Sequence, residues 1–325
     1  MLTHWHIRSV LLALFVLTCA STADDTNRSS GQPTYRSTVS EVRVTFFATD
    51  ENNHPVASLA KSDFAVVDRE LVIRKFRSFT HSDETTLDLV ALVDLSESVA
   101  PRFRVAMSAV LHLVAHEQSI PADNFAVLSF GGELRETSGG PSAAIRPAVL
   151  CASGCGAFNS VSRLLSVKSG GTTPLFDALI FAAGFIAHNR RAGARPVLIL
   201  FSDGIDTISL HSEREAQNAV LDGGALIYAV DIGASAHQTS GSTFLRQVSE
   251  ATGGRYFSFS PRSSQPDDAA TVLNAVLEDL RASYVVSYDL PSHQTGFHSL
   301  RLLPTHNLNL KFHSRNGYYY EPSGH

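Results

Sequence analysis

The stretch LVALVDLSES, residues 89–98, runs from apolar residues into an acid and two hydroxyl side chains. Its apolar part has the composition of a strand buried on both faces. Asp94, Ser96 and Ser98 then follow at alternate positions, and in an extended chain residues two apart point to the same side. The three oxygens can therefore face one point, where a hard divalent cation would explain all three.

Apolar strands of this kind recur after Leu87 and alternate with helical stretches. NFAVLSFGG, RPVLILFSDG and ALIYAVDIG are separated by segments such as TPLFDALIFAAGFIAHN and EREAQNAVLDGG. Strands without polar alternation, separated by amphipathic helices, indicate a mainly parallel sheet covered on both faces. We therefore predict an α/β domain over residues 85–283, with a doubly wound, Rossmann-like sheet.

The segments on either side of this domain have strand composition and no helical pattern. Residues 39–84 include VSEVRVTFFATD and FAVVD, and residues 284–325 include YVVSYDL, NLNLKFHS and GYYYEP. A small sheet built from either segment would be marginal alone. We predict that the two segments pack together as one β-sandwich, with the α/β domain inserted between them.

The first residues have the form of a targeting segment. Residues 1–23 combine a weakly basic start, a short apolar core and small residues before Asp24, which is typical of a secretory signal peptide. Cys19 raises the alternative of a lipoprotein anchor, although Leu and Thr precede it where smaller residues are preferred. Residues 24–38 are interpreted as a flexible lead-in. The mature chain is expected to be exported, to the periplasm, the cell surface or the medium, without a membrane span.

Charge and cysteine content restrict the possible partners and sites. The net charge of −5 over 325 residues, without a basic cluster, argues against a nucleic-acid binder.

If Cys19 leaves with the signal, Cys151 and Cys155 remain and are predicted to pair in a surface loop. Closing so short a loop contributes about 2 kcal/mol. No His or acid stands nearby at the spacing of a zinc site.

Two further oxygen-rich turns accompany residues 94–98. SGGTTPLFDAL places Thr172 in a glycine-supported loop before a helix, and VLILFSDG delivers Asp203 to the end of an apolar strand. Ligands of open parallel sheets bind beyond the carboxyl ends of the strands. Each turn has a plainer alternative. Ser96 or Ser98 could cap the helix that follows, SGGTTP is most often a helix-start loop, and FSDG is most often a turn. Asp177 is interpreted as a first-turn acid that favours the helix dipole.

The three turns together resemble the metal-ion-dependent adhesion site of the von Willebrand factor type A domain. That pattern is Asp-x-Ser-x-Ser, then Thr on a second loop, then Asp after a third strand, and Asp94, Ser96, Ser98, Thr172 and Asp203 match it in order. The flanking segments are similar to those of a bacterial group of exported proteins related to this domain. The resemblance implies a Mg²⁺ site, or one for Mn²⁺ or Ca²⁺, whose vacant position accepts an acidic side chain from a protein partner.

The expected function is therefore binding, in adhesion or complex assembly, rather than catalysis. A structural scaffold of an envelope complex with a degenerate metal site is the alternative. A phosphotransferase with Asp94 as nucleophile is less favoured, because the position two residues later, where such enzymes need a second acid, is Ser96. No catalytic residue is predicted.

Overall fold

The structure, a computed structural model, describes residues 41–115, 122–131, 147–233, 239–258 and 266–322. The strands are β1 (Glu41–Thr49), β2 (Phe64–Asp68), β3 (Leu71–Ile73), β4 (Ser78–His81), β5 (Leu87–Asp94), β6 (Ala122–Phe130), β7 (Ala148–Cys151), β8 (Arg195–Ser202), β9 (Leu226–Asp231), β10 (Tyr256–Ser258), β11 (Tyr284–Asp289), β12 (Gly296–Pro304), β13 (Lys311–Ser314) and β14 (Gly317–Tyr320). The helices are α1 (Phe103–Ala115), α2 (Phe158–Ser166), α3 (Leu175–Asn189), α4 (Glu213–Gly223), α5 (Ser240–Thr252) and α6 (Pro266–Arg281). The predicted signal peptide, Cys19 and the lead-in lie outside the described residues. None of the helices in the described ranges has the length and apolarity needed to cross a membrane.

A six-stranded central sheet has the order β10-β9-β8-β5-β6-β7. Neighbouring strands pair in parallel, except β7, which is antiparallel to β6 at one edge. The chain moves outward from β5 through β6 and β7, then crosses to β8 on the other side of β5. The order therefore reverses between β5 and β8, which is where such sheets bind ligands. The prediction of a doubly wound, mainly parallel sheet is confirmed.

Both faces of this sheet are buried, which explains the unbroken apolar runs in the sequence. In β5, Leu89, Ala91 and Val93 join an apolar cluster that includes side chains of α1 and α6. Val90 and Leu92, from the opposite face, join a second cluster that includes α3, α4 and α5. A strand covered by helices on both sides has no solvent-facing positions, so polar alternation is absent.

Two four-stranded antiparallel sheets form the flanking sandwich, in the orders β13-β1-β11-β4 and β14-β12-β2-β3. Each sheet combines strands from both ends of the chain. Val42, Val44 and Phe46 alternate along β1 and enter the core that the two sheets share. The predicted sandwich of N- and C-terminal strands is confirmed.

The strands β4 and β11 are neighbours in the first sandwich sheet, with Ser78 opposite Ser287 and His81 opposite Tyr284. The chain therefore leaves the sandwich and returns to it side by side. Phe47, on the other face of β1, packs into the core of the α/β domain and stacks on His313 at 4.5 Å between ring centroids. The sandwich and the α/β domain thus share buried apolar contacts.

Cys151 and Cys155 form a disulfide, as predicted. It links the end of the edge strand β7 to the turn before α2. Residues 152–154 between the two cysteines are exposed, as expected for a surface loop, while Cys151 and Cys155 themselves are buried against the core of the α/β domain. Burial follows from their position beneath α2, where a disulfide packs like an apolar side chain.

Candidate metal centre

The carboxyl ends of β5 and β8 bring two acids to one edge of the central sheet. The strands pair in parallel with Val93 opposite Phe201, so Asp94 and the Ser202–Asp203 pair lie side by side. Both carboxylate residues are buried, at 0% exposure for Asp94 and 6% for Asp203. Parallel pairing in this register therefore places Asp94 and Asp203 at the same edge of the sheet.

Asp94 is held by hydrogen bonds on both oxygens. Its Oδ1 accepts from the backbone N–H of Ser96 at 2.8 Å, and its Oδ2 accepts from the hydroxyl of Ser202 at 2.7 Å. Burial raises the pKa of Asp94 to about 6, and the neighbouring charge of Asp203 acts in the same direction. Two buried carboxylates that disfavour each other's charge form an environment in which a cation is stabilised.

Ser96 and Ser98 lie next to each other in the loop after β5. Their hydroxyl oxygens lie 3.1 Å apart. Ser96 precedes a short 3₁₀ helix, Glu97–Val99, yet its side chain makes no capping hydrogen bond. For Ser96, the alternative role of helix cap is therefore not supported.

Thr172 lies on a loop that contacts the loop after β5. The N–H of Gly170 donates to the carbonyl of Leu95 at 2.6 Å, and the N–H of Glu97 donates to the carbonyl of Gly171 at 3.1 Å. The Oγ1 of Thr172 is buried and has no hydrogen-bond partner among the described residues. A buried hydroxyl without a partner is costly, so a ligand for this oxygen is expected.

Asp203 is fixed by a tight backbone turn. Its Oδ1 accepts from the N–H of Ile205 at 3.0 Å. Gly204 follows with a φ of +76°, and a Cβ on it would lie 2.2 Å from the carbonyl oxygen of Gly241 at the start of α5. A side chain at position 204 is therefore excluded both by conformation and by space.

The structure also shows supporting residues that the sequence did not reveal. Ser202, directly before Asp203, holds Asp94 and accepts from the N–H of Gly204 at 3.0 Å. Asp177 lies in the first turn of α3, as predicted, but its carboxylate also accepts from the N–H groups of Leu210 and His211 at 3.0 and 3.1 Å. The loop that follows β8 is thus tied to the start of α3.

The five predicted side chains offer two carboxylates and three hydroxyls. Within the described ranges, no group of three or more His, Cys, Asp or Glu side chains could hold a metal. An all-oxygen set of two carboxylates and three hydroxyls suits Mg²⁺, Mn²⁺ or Ca²⁺. The unpaired Oγ1 of Thr172 fits the same donor set.

Comparison with solved structures identifies similar folds at low sequence identity. The VWA domain of SpRpn10 is 16% identical with a TM-score of 0.40, over 60% of this chain and 93% of that chain. Manganese-loaded TRAP protein of Plasmodium vivax is 16% identical with a TM-score of 0.43, over 79% and 99%. BatB of Bacteroides thetaiotaomicron is 13% identical with a TM-score of 0.41, over 58% and 98%. No curated protein matched the chain.

The family assignment comes from the sequence itself. The model of the von Willebrand factor type A domain matches residues 88–270, which is more than half of the chain. The matched region contains the central sheet and all three loops of the candidate metal centre. The chain therefore belongs to the von Willebrand factor type A domain family.

Proposed function

We propose that this protein binds a divalent cation through Asp94, Ser96, Ser98, Thr172 and Asp203. The observation that carries the proposal is the Oγ1 of Thr172, which is buried without a partner beside the loop of Ser96. Hydroxyl oxygens can bind Mg²⁺, Mn²⁺ or Ca²⁺ directly, while the carboxylates act directly or through water. Ser202 would orient Asp94 through its hydrogen bond to Oδ2, as residues that contact a metal ligand rather than the metal commonly do.

The ion would leave a position for a carboxylate supplied by another protein. Three of the five ligands are neutral hydroxyls, and a carboxylate that acts through water neutralises the ion less than one that binds it directly, which leaves the ion electron-poor. An acidic side chain from a partner is attracted to such a site. The proposed function is therefore metal-dependent protein binding, in adhesion or complex assembly, as is typical of type A domains.

The remaining parts of the proposal concern location and organisation. The segment 1–23 is proposed to direct export, with lipid anchoring at Cys19 as the less favoured route. The proposed units are the α/β domain at 85–283, inserted between β segments at 39–84 and 284–325. The membership of β4 and β11 in one sheet supports these boundaries.

Catalysis is not proposed. Ser96 stands where a phosphotransferase of this sheet type would need its second acid, and its hydroxyl contacts Ser98 at 3.1 Å. The alternative is a scaffold subunit whose site takes up no ion. The hydrogen bonds that already satisfy both oxygens of Asp94 are compatible with that alternative.

Calorimetric titration with Mg²⁺, Mn²⁺ and Ca²⁺ distinguishes a metal-dependent binding protein from a scaffold subunit that takes up no ion. We expect one site per chain, with affinity at least ten-fold weaker in Ser98→Ala and unchanged in Ser108→Ala, a matched hydroxyl deletion on α1. Pull-down from envelope extract with and without EDTA then tests the partner. Absence of cation uptake, together with EDTA-insensitive capture, would favour the scaffold.

A further inference from the structure

A second polar cleft lies at the opposite edge of the central sheet. Its volume is about 270 Å³, and it opens where the sandwich meets the amino ends of β8 and β9. Four arginines line it: Arg43 on β1, Arg190 after α3, Arg195 at the start of β8, and Arg315 between β13 and β14. The candidate metal centre is at the carboxyl ends of the same strands, so the two sites are separate.

These four guanidinium groups have no carboxylate partner in the described part of the chain. Arg43 donates to the carbonyl of Gly193 at 3.3 Å, and Arg315 donates to the carbonyl of Arg43 at 2.7 Å. Arg190 has no hydrogen bond or ion pair within the described ranges. Like charges gathered in excess over their counter-charges repel one another, and a bound anion would relieve that repulsion.

Two of the arginines point at one spot in the cleft. A Cβ placed on Gly224 would lie 3.8 Å from the Nη1 of Arg315 and 4.0 Å from the Nη1 of Arg190. Burial lowers the pKa of Arg190, and the charge of Arg43 adds to this effect. Burial likewise lowers the pKa of Arg315, and Arg190 contributes to it. Burial is the largest cause of both shifts, and the nearby charges of Asp88 and Asp68 oppose it.

Unused donors on two of the lining arginines are an independent observation. The Nε atoms of Arg195 and Arg315 are buried and have no hydrogen-bond partner among the described residues. Arg195 is only 2% exposed, and its remaining N–H groups bind the carbonyls of Leu280 and Ser82 and the hydroxyl of Ser283. Buried donors of this kind normally have a partner.

Other charges at this edge do not pair with the arginines. Glu41 and Asp222 also line the cleft, which leaves the lining with a net charge of +2 at neutral pH. Burial raises the pKa of Asp222, and Glu321 adds to this effect. The carbonyl ends of α3 and α4 attract cations to this edge. The carbonyl ends explain why arginines gather at this edge. They do not explain the two buried Nε donors, which have no partner among the described residues.

We propose that the cleft binds a compact oxyanion of the phosphate class, held by Arg43, Arg190 and Arg315. A guanidinium presents a planar pair of N–H donors that matches two oxygens of a phosphate. The anion is either a free ion or the phosphoryl group of a small molecule. Because its ligands come from β1, the β13–β14 loop and the end of α3, it fastens the sandwich to the α/β domain.

Calorimetry and thermal unfolding of the full chain in EDTA test this site separately from the metal centre. Inorganic phosphate is the first probe and glycerol phosphate the second. We expect binding with a rise in Tm, weakened at least ten-fold in Arg190→Gln and unchanged in Arg301→Gln, an exposed arginine on β12. Tighter phosphate binding identifies a free ion, and tighter glycerol phosphate binding identifies a phosphoryl group.

Two results would overturn the proposal. One is the absence of heat and of any Tm shift with either probe at 10 mM, about the limit at which weak anion sites are still detected. The other is an equal response of Arg190→Gln and Arg301→Gln, which would reduce the effect to nonspecific screening of surface charge. Arg190 makes no hydrogen bond or ion pair with another described residue, so the variant is expected to fold.

Discussion

Replacing Thr172 by valine should change stability in opposite directions with and without a divalent cation. The substitution removes the Oγ1 and keeps the branched shape of the side chain. In the structure this oxygen is buried and has no partner among the described residues. The hydroxyl is therefore a cost to the metal-free protein and a ligand in the metal-bound one.

The expected magnitudes follow from two terms. An unpaired buried hydroxyl costs about 1 kcal/mol at the low end of the usual range, so Thr172→Val gains about 1 kcal/mol in EDTA. A cation at about 100 times its Kd stabilises the wild type by about 2.7 kcal/mol. If losing one ligand weakens binding about 100-fold, the variant gains only about 0.4 kcal/mol at that concentration. The variant then becomes less stable than the wild type by about 1.3 kcal/mol.

Urea unfolding in EDTA and in Mg²⁺ measures both terms on the same samples. Thr207→Val is the matched control, because the hydroxyl of Thr207 accepts from the N–H of Thr173 at 2.8 Å. That control should be destabilised by a similar amount in both conditions. A Thr172→Val protein that loses stability in EDTA, or that responds to Mg²⁺ as the wild type does, would refute the reasoning.

Three further predictions concern the turn after Asp203, the packing of the sandwich and the disulfide. Gly204→Ala should lower the free energy of unfolding by more than about 2 kcal/mol, because position 204 has a positive φ and lies against α5. Gly184→Ala is the control and should not have this effect, because a Cβ at position 184 would meet open space. Burial lowers the pKa of His313 to about 4, so the stability this histidine contributes is present above pH 6.5 and is lost as the pH falls toward 4. Unfolding of the wild type at pH 7 and pH 4.5 should show an additional loss of about 2–3 kcal/mol that His313→Gln does not show. Reduction of the Cys151–Cys155 disulfide should cost about 2 kcal/mol, read from urea unfolding with and without reductant.

The candidate ligands could be predicted because their signals are local. Asp94, Ser96 and Ser98 follow a buried strand at period two, and Asp203 ends a second strand of the same kind. Ser202 was missed, although it is adjacent to Asp203. Its contact with Asp94 depends on the parallel register of β5 and β8, which the sequence of either strand alone does not specify.

The fold class could be predicted and several details could not. Strand composition at both ends indicated a sandwich, but the order β13-β1-β11-β4 interleaves the two ends and depends on long-range pairing. Strand β7 has only four residues, too few for a periodicity to be recognised, and it follows a polar segment. Its antiparallel direction was therefore not anticipated.

Because β1 pairs with β11, the first described strand cannot complete its sheet until nearly the whole chain has been synthesised. Glu41 pairs with Asp289, about 250 residues later, and translation at about 5–20 residues per second makes that wait roughly 10–50 s. The strands of the α/β domain are made in the meantime and can fold on each other. Strand β1 is the earliest described strand to be synthesised, but its core side chains Val42, Val44 and Phe46 are buried only after β11 has emerged. Until then, something other than their native neighbours must shield them. The growing polypeptide is therefore expected to rely on chaperones over that interval.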